Sequence, residues 1–255
     1  MDEWRLLDNS VPYRAAMNLA IEEAVFLEKM MDKIPPTIRF WQNNRAAIIG
    51  YSQCVEAEVD LDICRKEEVE VVRRFSGGGA VYQDLGNLNY SIAIETDHPL
   101  VKGLDITQSL RTLCSGVIMA LKTFGTNPVF ESPSNILINN KKVSGNAQAR
   151  RKNTILHHGT LLVNANLDLL VNVFNVPKHA GMIKGVASKR SPITNLSDEL
   201  GWQVPIEKVK EAVQQGFEHV FSIRLLKDSL SQEEKELAKK LYVEKYSKKE
   251  WNYWR

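Results

Sequence analysis

EVEVVRRFSGGGAVYQDLGNLNYSIAIE, residues 68–95, decides the fold class of this chain. β-branched and aromatic residues alternate on both sides of two glycine-containing breaks, which reads as a strand, a hairpin and a second strand. Three consecutive glycines inside a strand pattern cost backbone entropy and contribute no packing, so another requirement must keep them. One such requirement is close approach of a ligand to the backbone, with Arg73 and Arg74 upstream to meet a carboxylate or phosphate. Taken alone, SGGG is equally a β-bulge followed by a tight turn. It lacks the Gly-Lys-Ser/Thr ending of a Walker A loop. It also does not open a helix as a GxGxxG dinucleotide loop does, so ordinary phosphate-loop enzymes are disfavoured.

Upstream, Met17, Ala20, Ile21, Ala24 and Leu27 recur at helical spacing, predicting an amphipathic helix over roughly 12–32 that Pro35 and Pro36 stop. TIRFWQ (37–42) and AAIIGYS (46–52) read as strands, and 59–67 as a short helix. Downstream, Asp105 and Gln108 form a capping box before the apolar stripe of Leu110, Leu113, Cys114, Val117, Ile118 and Leu121. Cys114 on that stripe reads as a core residue. NILINNKKVSG (135–145) is a hairpin turning at Asn139-Asn140, TILHHGTLLVN (154–164) a strand, and 167–175 and 205–219 helices. KHAGMIKGVASKRSPITNL (178–196) reads as a mobile loop, and Ser231 with Glu234 opens a last helix. Strands and helices mix irregularly, which fits α+β or mixed α/β with a largely antiparallel sheet flanked by helices. No linker or composition shift divides the 255 residues into two domains.

Composition excludes several classes. Thirty-three basic against thirty-one acidic residues leave a net charge of +2, too little to imply nucleic acid. The lysines of SQEEKELAKKLYVEKYSKKEW (231–251) alternate with glutamates as on a solvated helix face. No run approaches the roughly eighteen apolar residues of a membrane span, and the acidic N-terminus is unlike a signal peptide, so cytoplasm is the expectation. Cys54, Cys64 and Cys114 lack a CxxC spacing, so neither a disulfide framework nor a zinc site is expected.

Two further segments carry chemistry. Lys142 leaves the hairpin turn beside Val143, Ser144 and Gly145, a setting that aims an ammonium among small residues. It can bridge two anions brought together, although most hairpin lysines are merely solvated. His157 and His158 are adjacent on a strand and point to opposite faces, so they cannot converge on one metal ion. One is structural, and the other is a candidate to line a pocket.

RRFSGGGAVYQDLGNLNYS (73–91), KKVSGNAQ (141–148) and HHGTLLVN (157–164), in this order, resemble the lipoate-protein ligase A family. The similarity runs from NLAIEEA (18–24) to EWN (250–252). The resemblance implies a catalytic domain like that of biotin and lipoate ligases, here one large domain over 1–255 with the accessory domain absent from the chain. It also implies the reaction. Lipoate or octanoate and ATP, with Mg²⁺, give an acyl-AMP, and the acyl group passes to a lysine of a lipoyl domain of a 2-oxoacid dehydrogenase E2 subunit or of a glycine-cleavage H protein.

By motif position, Lys142 is the implied catalytic residue. Arg74, Ser76, Gly77, Gly78, Gly79, Asn87, Ser144, Gly145, His158, Gly159 and Thr160 would surround lipoate and adenylate. Lys184, Gly185, Lys189 and Arg190 would belong to an adenylate loop that orders over ATP.

Two departures qualify this. Gln83 stands where the family has histidine, and Asn135-Ile136 where it often has Asn-Asp. A carboxylate for Mg²⁺ is thus missing, and the ion would be held chiefly by ATP phosphates. Octanoyltransferases share the fold and use a cysteine thiolate without ATP. In the Gram-positive type the thiol immediately precedes a segment like FESPS (130–134), where this chain has Val129, so ligase chemistry is favoured. A GRGR-type loop of biotin ligases is absent, and a non-catalytic lipoyl-binding module, which would not need Lys142, stays open. The early ending implies a separate small accessory protein for activation.

Overall fold

The computed structural model describes residues 2–174 and 187–254. The chain begins with strand β1 (Asp2–Tyr13), helix α1 (Ala15–Met30), β2 (Thr37–Asn43) and β3 (Ala46–Ile49). Short helices α2 (Val55–Glu58) and α3 (Leu61–Lys66) precede β4 (Glu70–Arg73), β5 (Val81–Gln83) and β6 (Asn87–Glu95). After α4 (Ile106–Thr123) come β7 (Val129–Glu131), β8 (Asn135–Ile138), β9 (Lys141–Arg151), β10 (Thr154–Leu162) and α5 (Leu167–Val173). The last elements are α6 (Leu196–Leu200), α7 (Ile206–Phe221), β11 (Ile223–Asp228), α8 (Gln232–Leu241) and α9 (Lys249–Asn252).

Eight strands form one sheet in the order β11-β1-β2-β6-β10-β9-β8-β7, and β4-β3-β5 form a second, smaller sheet. In the large sheet β1 runs parallel to both of its neighbours and the other pairs are antiparallel. The mixed, largely antiparallel sheet flanked by helices matches the expectation from the sequence. The hairpin expected within 68–95 does not form: β4 and β5 each pair with β3, which lies between them, and β6 belongs to the large sheet, so residues 76–80 are a loop that crosses over the end of β3. Strand β1 was not foreseen: its backbone continues to Tyr13, so α1 starts later than the periodicity predicts. The Asn139-Asn140 turn has positive φ at both residues, 50° and 62°, the twist that suits a two-residue hairpin.

The alternation along β6 sends Leu88, Tyr90, Ile92 and Ile94 to one face, where Leu113, Val117 and Leu121 of α4 and Val213 and Phe217 of α7 complete the main core. The capping box of α4 forms between Asp105 and Gln108 as predicted, a device that contributes about 1 kcal/mol. Ala93 of β6 faces the other way, onto α1 and α8. Arg5 of β1 grips buried Glu234 of α8 with two hydrogen bonds, at 2.9 and 2.5 Å, and Glu234 also closes the second capping box with Ser231. Apolar burial at about 25 cal/mol per Å² supplies most of the stabilisation of these layers, and the pairings fix their register.

The two histidines of β10 part as expected. His157 is fully buried on the α4 face, with Cys114 Sγ 3.9 Å from its Nε2. Burial, reinforced by His158, pulls its pKa from 6.5 down to about 3. As pH falls below 6.5 the unfolded chain takes up a proton that folded His157 refuses until about pH 3, so stability drains through that window. His157→Gln is therefore expected to flatten the loss of stability on acidification, as followed by urea unfolding at a series of pH values.

Candidate active site

His158 lies on the opposite face of β10, against α1. Its Nδ1 is 2.8 Å from Glu22 Oε1 and its Nε2 is 2.7 Å from Ser76 Oγ. The carboxylate accepts, so the imidazole proton sits on Nδ1 and Nε2 accepts from the Ser76 hydroxyl. Arg74 Nε in turn donates to Ser76 Oγ at 3.0 Å, and Arg74 Nη2 donates to the carbonyls of Gly77 at 2.6 Å and Gly79 at 2.8 Å. A buried carboxylate on α1 thus organises the glycine loop between β4 and β5 through histidine, serine and arginine. Glu22 was missed in the sequence. Its signal was two acidic residues inside an otherwise apolar helical stretch, LAIEEAVF.

Burial pulls the Arg74 guanidinium down to about 10 and that of neighbouring Arg39 to about 9, with Glu22 opposing the shift in both. Both stay charged at neutral pH. Arg73 behaves differently from the anion contact considered above. Its Nη1 donates to the carbonyls of Gly50, Tyr51 and Gln53, and its Nε and Nη2 to those of Trp251 and Asn252. It ties β4 to the C-terminal segment and does not line the cavity.

A cavity of about 280 Å³ opens beneath the glycine loop. Arg74, Gly78, Gly79, Lys142, Gly145, His158, Gly159, Thr160 and Lys189 line it, so the structure brings together most of the residues singled out in the sequence. Leu19, Trp41, Ile48, Val81 and Gln83 add walls that the sequence did not announce, because apolar residues on α1 and the strands look like ordinary core. The other described candidates do not line it. Gly77 and Ser76 hold Arg74 and His158. Ser144 is buried with Asn146 as its neighbour. Asn87 is a turn brace: its Oδ1 accepts from the Asp84 backbone at 2.9 Å and its Nδ2 donates to Tyr82 O at 3.3 Å. Arg190 is exposed and donates to Phe174 O. Lys184 and Gly185 lie outside the described residues.

Lys142 is the central feature. Its ammonium curls over Gly145, where an added Cβ would stand only 2.7 Å from both Cε and Nζ, so the glycine makes the space that the lysine occupies. Among the described residues Lys142 Nζ has neither a hydrogen-bond acceptor nor an ion pair. Burial lowers its pKa, the Arg74 cation lowers it further, and only Glu131 opposes this. Such a cation gains from any anion that enters.

The segment after the undescribed residues closes the site. Ser188 Oγ accepts from Ala80 N at 2.9 Å and from Gln53 Nε2 at 3.0 Å and donates to Glu58 Oε2 at 2.5 Å, which seats it against Gly79. A backbone bridge joins Ile193 to Lys142. None of the cysteines lines the cavity. Cys64 and Cys114 are buried, and burial raises their thiols to about 11 and about 12. Among the described residues no three His, Cys, Asp or Glu side chains converge as a metal site.

Comparison with known proteins gives this arrangement its family. Residues 14–218 match the family model of the lipoyl protein ligase A/B catalytic domain. The chain is similar to lipoate-protein ligase A subunit 1 of Thermoplasma acidophilum, 36% identical with 98% of this chain and 96% of the relative covered. It is also similar to octanoyltransferase LipM of Oceanobacillus iheyensis, 33% identical over 91% of this chain and 90% of the relative. A solved bipartite lipoate protein ligase from Thermoplasma acidophilum, studied with its E2 lipoyl domain, superposes with a TM-score of 0.86 at 34% identity, covering 99% of this chain and 97% of that one. A lipoate-protein ligase A bound with ATP gives 0.85 at 33% identity, covering 99% of both chains. A match across four-fifths of the sequence, on a fold that superposes over its whole described length, makes this chain an enzyme of the lipoyl protein ligase A/B catalytic-domain family.

Proposed function

We propose that the chain activates lipoate or octanoate with ATP and transfers the acyl group to a lysine of a lipoyl domain. The observation that carries this reading is Lys142, a desolvated ammonium with no partner among the described residues, lining the same cavity as the Arg74 guanidinium.

In the first step the acyl carboxylate attacks the α-phosphate of ATP and pyrophosphate leaves. Lys142, as a compact point charge, offsets the repulsion of the two anions and holds them in line, an effect worth most where water is excluded. In the second step the neutral acceptor amine attacks the acyl carbonyl, the amide bond forms, the C–O bond to the phosphate breaks so that AMP departs with the bonding electrons, and the nitrogen gives up one proton to water. Lys189, on the cavity rim, and Arg190 near it extend the cationic side toward the nucleotide. The nearby carboxylates of Glu58 and Glu131 are engaged with Ser188 and Asn135, which leaves no built cage for Mg²⁺. The ion would enter on the nucleotide phosphates, and no step here is routed through it.

The similarity to LipM keeps a thiol-dependent transferase as the second reading. Against it, Val129 occupies the nucleophile position, lies exposed on the edge strand β7 and offers no attacking atom. The resemblance to a ligase subunit and to a bipartite ligase supports a second polypeptide as partner in activation. Lipoate-dependent release of pyrophosphate from ATP, measured with and without such a partner, tests the reading. Iodoacetamide is expected to leave the rate unchanged, because the pocket contains no thiol. Inhibition that tracks alkylation of one cysteine would move the protein to the transferase class.

A further inference from the structure

The register between β8 and β9 slips by one residue. Ile136 pairs with Ser144 and Leu137 with Lys142, so Val143 is an extra residue in β9, a β-bulge. Successive residues of a regular strand alternate between its two faces. Counted back from Gly145, which lines the cavity, regular alternation would send Val143 and Lys141 to the cavity and Lys142 to the core. The observed order is the reverse. Val143 is fully buried in the main core, Lys142 lines the cavity with Gly145, and Lys141 is exposed. The bulge thus decides which of two adjacent lysines faces a ligand.

Residues 192–194 grip the bulged strand at the lysine itself. Lys142 N donates to Pro192 O at 2.8 Å, and Thr194 N donates to Lys142 O at 3.0 Å. Glu199 of α6 fixes this segment in turn. Its Oε1 accepts from Thr194 Oγ1 at 2.7 Å and from Lys141 Nζ at 3.2 Å, and its Oε2 accepts from Asn139 Nδ2 at 2.6 Å. One carboxylate therefore ties together the hairpin turn before the bulge, the lysine that is turned away and the segment that holds Lys142. Burial pushes the Glu199 pKa up, but the bonds from Thr194, Asn139 and Lys141 outweigh this and hold it below the ordinary carboxylate value. A pair with an exposed ammonium contributes little to stability by itself, so three donors converging on one carboxylate point to a geometric role.

Resting on the reading of Lys142 as the activating cation, we infer that Glu199 is a positioning residue for that reaction: through Thr194 and Lys141 it keeps the bulge that turns Lys142, and not its neighbour, into the cavity. Glu199 does not itself line the cavity. Without the clamp, residues 192–194 are freed and β9 relaxes toward regular alternation, which takes the Lys142 ammonium away from Gly145 and Arg74.

Two variants test this. Glu199→Gln keeps the size of the side chain and removes its charge and one acceptor. Thr194→Val removes one hydroxyl and serves if Glu199→Gln folds poorly. Trace acetylation of the full chain with acetic anhydride over a pH series, each lysine quantified by peptide mass spectrometry, reads the setting of Lys142 without any turnover. Burial and Arg74 lower the Lys142 pKa against the pull of Glu131, so its acetylation midpoint in the unsubstituted chain lies below that of an ordinary lysine. Each variant is expected to move that midpoint up by about one pH unit as the ammonium regains water. Lipoate-dependent pyrophosphate release, measured with and without a partner polypeptide, is expected to lose about tenfold in kcat with KM for lipoate little changed, because the cavity walls are untouched. A substitution that only weakened the fold would lower Tm and leave the midpoint in place. A midpoint unchanged in both variants overturns the clamp, and a shifted midpoint with parental kcat overturns its part in the reaction. A shifted midpoint, in a protein whose unsubstituted form releases no pyrophosphate, supports the clamp and overturns the acyl-activation reading instead.

Discussion

Lys142→Ala is expected to lower ATP-dependent acyl activation by about a thousandfold, the upper range for removing one preorganised electrostatic group. The same substitution should not lower Tm. Lys142 is held in a desolvated place with Arg74 as a like charge, and it gives up no hydrogen bond or ion pair among the described residues when removed. The combination is diagnostic. Structural lysines lose stability on truncation, whereas this one gives up only charge aimed at a ligand. Lys142→Met separates length from charge: it should fill the space over Gly145 and stay inactive. Pyrophosphate release and thermal unfolding on the same preparations check both halves. A rate within an order of magnitude of the parent would remove Lys142 from the chemistry.

Gly50→Ala is the second large effect, and it acts through the backbone. A Cβ at Gly50 would stand 2.0 Å from the carbonyl oxygen of Gly78 and 3.2 Å from Arg74 Nη2. The obstructing atom is backbone, and Gly78 is itself held at a positive φ of 91° that few residues adopt, so the glycine loop cannot yield at no cost. The loop must lift, and Arg74 then loses its aim at the carbonyls of Gly77 and Gly79. Forced repacking of this kind costs about 1–3 kcal/mol in stability. The loss of activity should be larger than that of the fold, about a hundredfold, because a displacement on the order of 1 Å at a positioning group is enough. Urea unfolding and acyl-AMP formation measured side by side distinguish the two effects. Full activity with parental stability would show that the glycine loop is not held against Gly50.

Much of this site was legible in the sequence because its residues break local rules. Three glycines in a strand, a lysine after a tight turn and paired histidines on a strand are each unfavourable or idle unless the fold uses them. The partition of His157 from His158 followed from strand alternation alone. What stayed hidden has a common cause. Glu22 and Ser188 acquire meaning only from distant partners on other elements, Glu22 from His158 at a separation of 136 and Ser188 from Glu58 at 130. Asn87 shows the converse. Its motif position pointed to the ligand, yet its side chain closes a three-residue turn, a local use that a family pattern cannot distinguish from binding. Strand β1 escaped because DEWRLLDNSVPY mixes charges with buried Trp4, Leu6 and Leu7, and its charged Arg5 is neutralised only by Glu234 at the far end of the chain.

Intact-mass spectrometry of an apo lipoyl domain, incubated with the chain and a bipartite-type partner, compares two acyl donors most directly: lipoate with ATP, and an octanoyl thioester carrier without ATP. The proposed chemistry predicts a gain of one lipoyl group from the first mixture, lost when ATP is omitted or Lys142 is replaced by alanine, and no gain from the second. Acylation from the thioester carrier without ATP, with a transient acyl thioester on a cysteine of this chain, would contradict it.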